Sequence, residues 1–523
     1  MARTGPGFVA ATCAVQLAAG AAGAQNAPVD IGSRRELFTD RALIAKLTGD
    51  VRQLLHHPTP QEVVLVHDAP WEGSGCGYHS VFRDPSTGSG PNGGRYRMYY
   101  KAWHLGVKNG KVAPRPQLYT CYAESKDGLK WIKPPLKRIA FKGSKDNNIV
   151  LASGPVEGAG RGVRIDAGHP SVFRDENPAA PADARYKALL LASSPAGAGL
   201  LALQSPDGLS WRALHPTPVI TRAHQGFDSQ NLAFWDAGHG VYRAYWRSKP
   251  GGFRTVLTAT SDDFVKWTRP LRLKYPGAKN EQLYTNVIKP YHRAPHILIG
   301  FPVRYTERRW SDQAYADLPD PTHRTIRKNT AERFGAALTD ALLMTSRDGV
   351  TFHRWGEAFL RPGIQRPGTW AYGQQYLAWH LVETKPTLPG APNELSFYAT
   401  ESYWTGKGCH LRRYTLRLDG FVSVHAGAKG GELITPPLTV NGANLHLNVS
   451  TAAAGSIRVE VQNADGKPLP GLALADCVEI FGDEIDRRVR WADGKDLKKA
   501  AGQTIRLRFV MREADLFALQ FRE

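Results

Sequence analysis

A short motif recurs along the chain and constrains its fold more than any other feature. Four copies pair a Ser-x-Asp turn with an aromatic residue: SKDGLKW at Ser125–Trp131, SPDGLSW at Ser205–Trp211, SDDFVKW at Ser261–Trp267 and SRDGVTF at Ser346–Phe352. Each copy favours a tight turn whose aromatic side chain packs on the following strand. Self-similarity of this kind indicates a repeat architecture.

Two strand-like runs precede each turn. Alternating apolar and aromatic residues bounded by Gly, Pro and Asp are typical of β-strands. The pairs of runs are His79–Asp84 with Arg95–Trp103, His169–Asp175 with Arg185–Ser193, Ser229–Asp236 with Val241–Arg247, Tyr284–Tyr291 with His296–Arg304, and a degenerate fifth pair, Tyr372–Glu383 with Leu395–Trp404. These units predict a five-bladed β-propeller. A β-sandwich with chance similarity is the alternative, and four matched pairs of elements argue against it.

The character of the sequence changes after Asp419. Gly427–Gly431 is a glycine-rich break, and the runs beyond it alternate apolar and polar residues, as in Ser456–Gln462 and Thr504–Val510. This alternation predicts an antiparallel β-sandwich. We therefore expect an all-β protein with a leader over residues 1–24, an extension that braces the propeller over 25–60, a five-bladed β-propeller over 61–420 and a β-sandwich over 432–523.

The N-terminus has the pattern of a secretory signal peptide. Arg3 supplies a positive charge, Phe8–Ala21 is apolar, and Ala22-Gly23-Ala24 fits a cleavage site. No other run of 18 apolar residues occurs, so we expect a secreted or periplasmic protein without a membrane span. Cleavage would remove Cys13 and leave four cysteines with no C-x-x-C motif, which argues against a structural zinc site or a redox motif.

The charge balance first suggests a nucleic-acid binder. The chain has 67 Lys and Arg residues against 47 Asp and Glu residues, a formal net charge of +20. The basic residues are spread along the chain without a Lys/Arg run or a recognition motif, so we expect no nucleic-acid partner. Phosphate-cradling G-x-x-x-x-G-K loops and G-x-S-x-G nucleophile elbows are absent from the sequence. We expect no cofactor, although the central channel could hold a structural cation.

Five predicted blades with Ser-x-Asp-Gly turns and a C-terminal sandwich resemble the secreted glycoside hydrolases of families 32 and 43. The chain looks most similar to the bacterial proteins described as glycosyl hydrolase family 32 N-terminal-like, whose opening L-F-x-D-x-x-L-I is matched by Leu37–Ile44. The resemblance covers roughly residues 35–520 and implies the fold and a carbohydrate substrate. The N-D-P-N-G and E-C motifs of family 32 are absent, so catalytic residues have to be sought by position.

Carboxylates precede four of the predicted inner strands. The inner strand of each propeller blade lines the central channel, and its start faces the ligand-binding mouth in the hydrolases that this chain resembles. The candidates are Glu72, Asp166, Asp228 and Glu281. Glycoside hydrolysis needs one carboxylic acid and one carboxylate that acts as base or nucleophile. We predict Asp228 and Glu281 as this pair, with Asp166 and Glu72 beside them as orienting or sugar-binding groups.

Cations are predicted at the same mouth. Lys101, His104, Arg247 and Arg304 stand at the ends of second strands. They could pair with the carboxylates, or bind an anionic group of the substrate such as a uronate or a sulfate.

Further candidates share these positions. Asp340 begins another strand of the fourth unit, just after an insertion over residues 305–339. His79 and His169 occupy one blade position and could line the mouth, bind a central ion or pack in the core. The aromatic candidates for sugar stacking are Trp71, Trp103, Tyr284, Trp310 and Trp370.

The predicted function is a secreted glycosidase that cleaves a poly- or oligosaccharide with paired carboxylates in the propeller funnel. One alternative is a non-catalytic carbohydrate-binding propeller, which gains if the closest carboxylates are more than about 10 Å apart. The other is a sialidase-like enzyme for polyanionic glycans. Sialidase repeats have an extra residue between Asp and Gly, whereas Asp127 and Gly128 are adjacent here, and the sequence alone does not bring a Tyr and three Arg to one site.

Overall fold

Five small sheets of four to six strands follow one another along the chain and form the five blades of a β-propeller. The computed structural model describes residues 27–87, 93–115, 117–221, 226–405, 408–498 and 502–523. The predicted leader lies outside these ranges. An all-β protein with a five-bladed propeller, as the repeat predicts, is confirmed.

The blades contain the following strands. Blade one has Gly77–Asp84, Arg95–Ala102, Tyr119–Ser125, Trp131–Ile132 and Ile149–Ala152; blade two has Arg164–Ile165, Val172–Arg174, Tyr186–Ser194, Gly197–Ser205, Arg212–Ala213 and Ile220–Thr221; blade three has Leu232–Asp236, Val241–Ser248, Thr255–Ser261 and Leu271–Arg272. Blade four has Lys289–Tyr291, Ala294–Gly300, Val303–Glu307, Ala337–Ser346 and His353–Leu360; blade five has Val382–Thr384, Glu394–Glu401, His410–Arg417 and Thr59–Val66.

The recurring turn joins each of blades one to four to the blade before it. In blade two, Asp207 Oδ1 accepts hydrogen bonds from the backbone N–H groups of Leu209 and Ser210, both at 2.7 Å. The Trp211 indole donates to the Gly208 carbonyl at 3.0 Å, which fixes the aromatic side chain over the turn. The outside of this turn lies against blade one, where Arg97 Nη1 donates to the Asp207 carbonyl at 2.6 Å.

The other turns make equivalent contacts. The Tyr398 hydroxyl of blade five donates to the Gly128 carbonyl of blade one at 2.6 Å, and the Tyr245 hydroxyl of blade three donates to the Gly349 carbonyl of blade four at 2.8 Å. In blade three the glycine is replaced by Phe264, whose ring packs 5.7 Å from Phe173 of blade two. The repeat therefore encodes the contact between blades as well as the turn.

An N-terminal strand completes the last blade. Thr59–Val66 pairs antiparallel with His410–Arg417, so blade five combines strands from both ends of the propeller sequence. Arg413 of that blade forms ion pairs with Glu62 at 2.8 Å and with Glu394 at 2.9 Å. This pairing closes the ring of blades and leaves no free edge between the first and the last.

The remaining strands form one eight-stranded sheet, which contains Val29–Gly32, Arg35–Leu37, Lys46–Leu55, Val422–Ile434, Leu438–Val440, Asn444–Asn463, Asp483–Arg488 and Thr504–Arg522. The long strands Asn444–Asn463 and Thr504–Arg522 pair antiparallel, with a register shift between Thr451 and Ser456. Alternate side chains from both halves of these strands meet in one hydrophobic core that includes Leu447, Val459, Phe509 and Leu519. This arrangement is the predicted C-terminal β-sandwich.

The N-terminal strands of this sheet also contact the propeller. Arg347 of blade four donates to Glu36 at 2.8 Å and to Asp40 at 2.9 Å. His296 Nε2 lies 2.9 Å from the same Glu36 carboxylate, which is buried. These ion pairs attach the N-terminal segment to blade four.

Blade four carries the long insertion seen in the sequence. Its helices are Asp312–Tyr315, Pro321–Thr330 and Glu332–Ala336. The second of them, which we call the inserted helix, has Pro321 at its first turn and ends beside the hairpin Leu105–Lys108 and Lys111–Pro114. There the Val112 N–H donates to Thr330 Oγ1 at 2.8 Å. The insertion therefore reaches across from blade four to blade one. Short 3-10 turns occur at Pro85–Thr87, Ala182–Ala184, Pro250–Gly252 and Ala492–Gly494.

Candidate functional site

The inner strands bring one residue from each blade into a ring at one end of the propeller, which we call the mouth. Its members, from blade one to blade five, are Tyr78, His169, Asp228, Tyr284 and Tyr376. The Tyr78 ring lies 5.3 Å from His169 and 6.2 Å from Tyr376, and Tyr376 lies 5.3 Å from Tyr284. His169 Nε2 is 3.2 Å from Asp228 Oδ1. The residues just before the inner strands therefore converge.

A buried glutamine holds these strand starts together. Gln230 Nε2 faces the Tyr78 carbonyl of blade one at 3.0 Å and the Pro170 carbonyl of blade two at 3.1 Å. Its neighbour Ser229 donates to the Tyr284 carbonyl of blade four at 2.9 Å. The Ser-Gln segment after Asp228 thus fixes that carboxylate relative to three other blades.

Two aspartates and a histidine form a continuous chain of contacts at the mouth. His169 Nδ1 lies 3.1 Å from Asp166 Oδ2, and Nε2 lies 3.2 Å from Asp228 Oδ1. His169 is buried, whereas the side chain of Asp228 is 77% exposed. Asp228 therefore presents its carboxylate to the open mouth while its partner is enclosed.

The pKa shifts in this chain favour an imidazolium between two carboxylates. Burial lowers the pKa of His169, but the hydrogen bonds to Asp166 and Asp228 outweigh burial and raise it above its usual value. Partial desolvation within the mouth raises the pKa of Asp228 although its side chain reaches solvent, but the hydrogen bond from His169 and the charges of His169, Arg247 and Lys101 hold that pKa well below its usual range. Asp166 is shifted downward as well, with burial opposing the effect of His169.

Two buried cations stand beside Asp228. Arg247 Nη2 lies 3.3 Å from Asp228 Oδ2, and its Nε donates to the Gly226 carbonyl at 3.1 Å. Lys101 has no carboxylate within 4.0 Å among the described residues. Its ammonium instead faces the rings of Tyr78 at 4.7 Å and Trp103 at 4.9 Å. The mouth therefore holds more positive charge than its carboxylates neutralise locally.

Tyr284 differs from the other phenols of the mouth. The Arg247 guanidinium lies 4.8 Å from its ring centroid and that of Arg254 lies at 5.2 Å, while the Tyr372 hydroxyl donates to the Tyr284 oxygen at 2.9 Å. Burial raises the pKa of Tyr284, but Arg247 and these hydrogen bonds lower it below its usual value. Burial raises the pKa of Tyr78 and Tyr376 well above theirs.

Further aromatic side chains pack against the tyrosines of the mouth. They belong to one buried cluster with Tyr78, Tyr284 and Tyr376, and they are Tyr305, Tyr372, Tyr403 and Trp404. Phe334 from the insertion packs edge-on against Trp404 at 4.8 Å. Stacked and edge-on aromatic rings of this kind give a sugar ring apolar faces to bind.

A second group of the predicted residues forms an ion-pair network of its own in blade four. Arg304 binds Asp340 through two nitrogens at 2.9 and 2.6 Å and lies 3.2 Å from Glu281. Glu281 also accepts from Arg354 at 2.6 Å. Glu281, Arg304 and Asp340 line a cavity of about 670 Å³ together with Trp370, which we call the blade-four cavity. The structure thus unites Asp166, His169, Asp228, Arg247 and Lys101, and separately unites Glu281, Arg304 and Asp340.

The remaining predicted residues have partners inside blade one. Glu72 is buried and accepts hydrogen bonds from the Tyr100 hydroxyl at 2.5 Å and from Lys133 at 2.6 Å. His79 is buried with its Nε2 3.1 Å from His67 Nε2, and burial lowers its pKa well below its usual value. The backbone carbonyl of His104 accepts from the Arg115 N–H at 3.0 Å.

The aromatic candidates also divide. Tyr284 and Trp103 lie at the mouth, and Trp370 lines the blade-four cavity. The other two lie elsewhere: Trp71 donates to Asn148 at 2.7 Å within blade one, and Trp310 stacks on Tyr315 in the insertion, with ring centroids 4.9 Å apart.

Sequence reasoning missed several mouth residues. Tyr78 and Tyr376 hold the ring positions of blades one and five, and Tyr403 and Arg254 border it. Tyr78 stands directly before the predicted strand that begins at His79, so aligning strand starts without asking for a carboxylate would have found it.

Among the residues that the structure describes, no group of three or more His, Cys, Asp or Glu side chains is placed to hold a metal ion. No helix in the described ranges is long and apolar enough to cross a membrane.

No protein-family model and no curated protein matches the chain. Solved structures that resemble it include an endo-arabinase from Bacteroides thetaiotaomicron, with 11% identity, 68% of this chain and 98% of that chain covered, and a TM-score of 0.39. An N-acetylgalactosamine deacetylase from F. plautii has 13% identity, coverage of 70% and 95%, and a TM-score of 0.39. A fructofuranosidase from Schwanniomyces occidentalis has 12% identity, coverage of 90% and 97%, and a TM-score of 0.36. At these scores the likeness carries no argument about activity, and the function has to be inferred from the site.

Proposed function

We propose that the chain is a glycoside hydrolase whose reaction takes place at the propeller mouth. The observation that carries this proposal is the exposed, ionised carboxylate of Asp228 at the end of the Asp166–His169–Asp228 chain. Aromatic rings form the walls around it, as a sugar-binding site requires.

The contacts of Asp228 suggest how the two chemical roles are divided. Its low pKa suits a nucleophile or a base that activates water, and Arg247 keeps the carboxylate charged and oriented. His169 is the protonated group with a raised pKa that touches Asp228. Its ring is buried and both of its nitrogens face aspartates, so we assign it as the group that keeps Asp228 charged and oriented, while the proton that Asp228 takes from the attacking water passes to the leaving oxygen as the glycosidic C–O bond breaks. Asp166 then positions the imidazole through Nδ1.

The charges around the mouth also support an anionic substrate. Lys101 and Arg247 are buried there, and Lys101 has no carboxylate within 4.0 Å among the described residues. A uronate or a sulfate ester would supply the missing counter-charge. We further propose that the protein is secreted, on the pattern of its first 24 residues.

A second candidate function is favoured by Tyr284. Its phenol lies between Arg247 and Arg254 and has a lowered pKa. A phenol in this state could attack the anomeric carbon in place of Asp228, as the sialidase-like alternative requires. If Tyr284 is the nucleophile, Tyr284→Phe should abolish turnover. If Tyr284 only forms part of the wall, the same substitution should mainly alter KM.

A screen of the purified protein tests the proposal. Neutral, uronate-bearing and sulfated oligosaccharides are incubated with the wild type and with Asp228→Asn, and new reducing ends are measured. The proposal predicts release from at least one class by the wild type and release that is slower by about 100-fold or more for the variant. Binding without release in the whole panel would instead support the non-catalytic carbohydrate-binding propeller.

A further inference from the structure

The inserted helix contains an arginine whose charge is not paired. Arg327 is 1% exposed. Its Nε and Nη1 atoms have no hydrogen-bond partner among the described residues, and no described carboxylate lies within 4.0 Å of it. Burying a lone guanidinium costs free energy, because the charge loses water without gaining an acceptor.

Arg324, one turn earlier on the same helix, shows the contrast. It is equally buried, but it donates to the carbonyls of Gly335 at 3.2 Å, Pro319 at 3.3 Å and Trp370 at 2.7 Å. Its guanidinium also lies 5.4 Å from the centroid of the Tyr315 ring. Arg324 therefore holds the insertion together, whereas Arg327 has no comparable structural contacts.

The helix that carries Arg327 extends from Trp370, whose carbonyl accepts from Arg324, to the blade-one hairpin, where Val112 donates to Thr330. Burial and the charge of Arg324 lower the pKa of Arg327 to about 9, and Asp320, Tyr372 and Tyr403 oppose that effect. The Tyr403 hydroxyl lies 3.4 Å from Lys101 Nζ. Arg327, from the insertion, and Lys101, from blade one, thus both interact electrostatically with Tyr403.

The helix that carries Arg327 is fixed at its end. The Val112 N–H donates to Thr330 Oγ1 at 2.8 Å, and Asn329 donates to the Gly110 carbonyl at 3.3 Å. These contacts fix the last turn of the helix, just beyond Arg327, against the blade-one hairpin. Two buried cations with free donors, held by separate elements, form a preorganised site for an oxyanion.

We propose that Lys101 and Arg327 form a subsite for the anionic substituent of a sugar, a carboxylate or a sulfate ester, next to the bond that is cleaved at Asp228. The inference deepens the proposed function and rests on it for the position of the cleaved bond. It adds that the insertion determines specificity for anionic sugars, because Arg327 belongs to that segment alone.

Direct binding measurements test the subsite without requiring turnover. The probes are glucuronate, inorganic sulfate and, as the neutral control, glucose, titrated calorimetrically into the wild type, Arg327→Gln, Arg327→Lys and Arg324→Gln. We expect the wild type to bind at least one of the two anions more tightly than glucose. The relative affinities for glucuronate and sulfate then show whether the subsite prefers a carboxylate or a sulfate. Arg327→Gln should weaken that binding about tenfold or more, and Arg327→Lys should retain most of it.

Thermal unfolding separates this role from a structural one. Without ligand, Arg327→Gln should keep or raise the Tm, because it removes an unpaired buried charge. Arg324→Gln should lower the Tm, because it leaves three carbonyls without a donor. Unchanged anion affinity in Arg327→Gln, or no anion binding by the wild type, would overturn the proposal.

The subsite and the hydrolase proposal can fail separately. Asp228→Asn should lose turnover yet bind the anion at least as tightly as the wild type does, because it removes a negative charge beside Lys101. If the wild type hydrolyses no glycan but Arg327→Gln still loses anion binding, the subsite stands and the hydrolase proposal fails. If turnover depends on Asp228 but anion affinity does not depend on Arg327, the reverse holds.

Discussion

His169 Nε2 lies 3.2 Å from Asp228 Oδ1, and this contact joins blade two to blade three at the mouth of the propeller. The histidine is buried and the aspartate is exposed, so the pair places a protonated group behind a carboxylate that faces substrate. The other ring nitrogen of His169, Nδ1, lies 3.1 Å from Asp166 Oδ2. The chemistry that we assign to the mouth depends on the charge state of this pair.

The first prediction concerns pH. The pKa of folded His169 is raised above its unfolded value of 6.5, so the stability that the pair contributes is complete below 6.5 and is lost as pH rises through the folded pKa. The pKa of folded Asp228 is depressed below 3.8, so its contribution is present above 3.8 and is lost only as pH falls through the folded pKa. We expect kcat/KM to be maintained from mildly acidic pH to above 6.5, with an alkaline limb set by His169.

A matched variant identifies the source of that limb. Asp166→Asn removes one of the two carboxylates that raise the pKa of His169. The alkaline limb should therefore move to lower pH, while activity at acidic pH stays close to that of the wild type. An alkaline limb that does not move would show that a group other than His169 controls it.

The second prediction concerns packing between blades. Gly208 has φ of +76°, and a Cβ there would lie 2.4 Å from the Tyr99 hydroxyl of blade one. Gly240 has φ of +67° but no atom within 4 Å of its Cβ position. Both alanine variants carry the same backbone strain, so Gly208→Ala should cost about 1–3 kcal/mol more in the free energy of unfolding. Equal losses in chemical denaturation would mean that this turn does not pack against blade one.

The blades were predictable because their signal is local. The Ser-x-Asp turn satisfies its own backbone within a few residues, as Asp207 does for Leu209 and Ser210, so a short motif reports it faithfully. The contact between that turn and the preceding blade is not local, because Arg97 and Asp207 are more than a hundred residues apart, and no short motif predicts that Arg97 donates to the Asp207 carbonyl.

The site was predictable only in part, because loops of unequal length separate the carboxylates from their strands. Asp228 stands four residues before the strand that starts at Leu232, whereas Glu281 stands eight residues before Lys289. The longer loop lets Glu281 reach Arg304 and Arg354 of blade four. Asp228 and Glu281 both precede an inner strand in the sequence, but they do not occupy equivalent positions in the structure. In blade four the ring position belongs to Tyr284 instead.

The third prediction concerns the cysteines. Cys76, Cys121, Cys409 and Cys477 are buried free thiols, and burial raises the pKa of Cys121, Cys409 and Cys477. None should react with a thiol reagent in the native protein, because all four are buried, and the raised pKa of Cys121, Cys409 and Cys477 further disfavours their thiolates. In denaturant, protein recovered from outside the cytoplasm should show four thiols if the leader has been removed. Five thiols would mean that Cys13 is retained, contrary to the proposed secretion.

The most direct test of the mouth as the catalytic centre compares Asp228→Asn with Glu281→Gln on the best glycan substrate. Asp228 touches His169 and Arg247 at the mouth, whereas Glu281 is bound by Arg304 and Arg354 in blade four. We predict that Asp228→Asn lowers kcat by about 100-fold or more, and that Glu281→Gln lowers the Tm but retains most of kcat. A kcat that falls with Glu281→Gln and survives Asp228→Asn would contradict the account and place the reaction in the blade-four cavity.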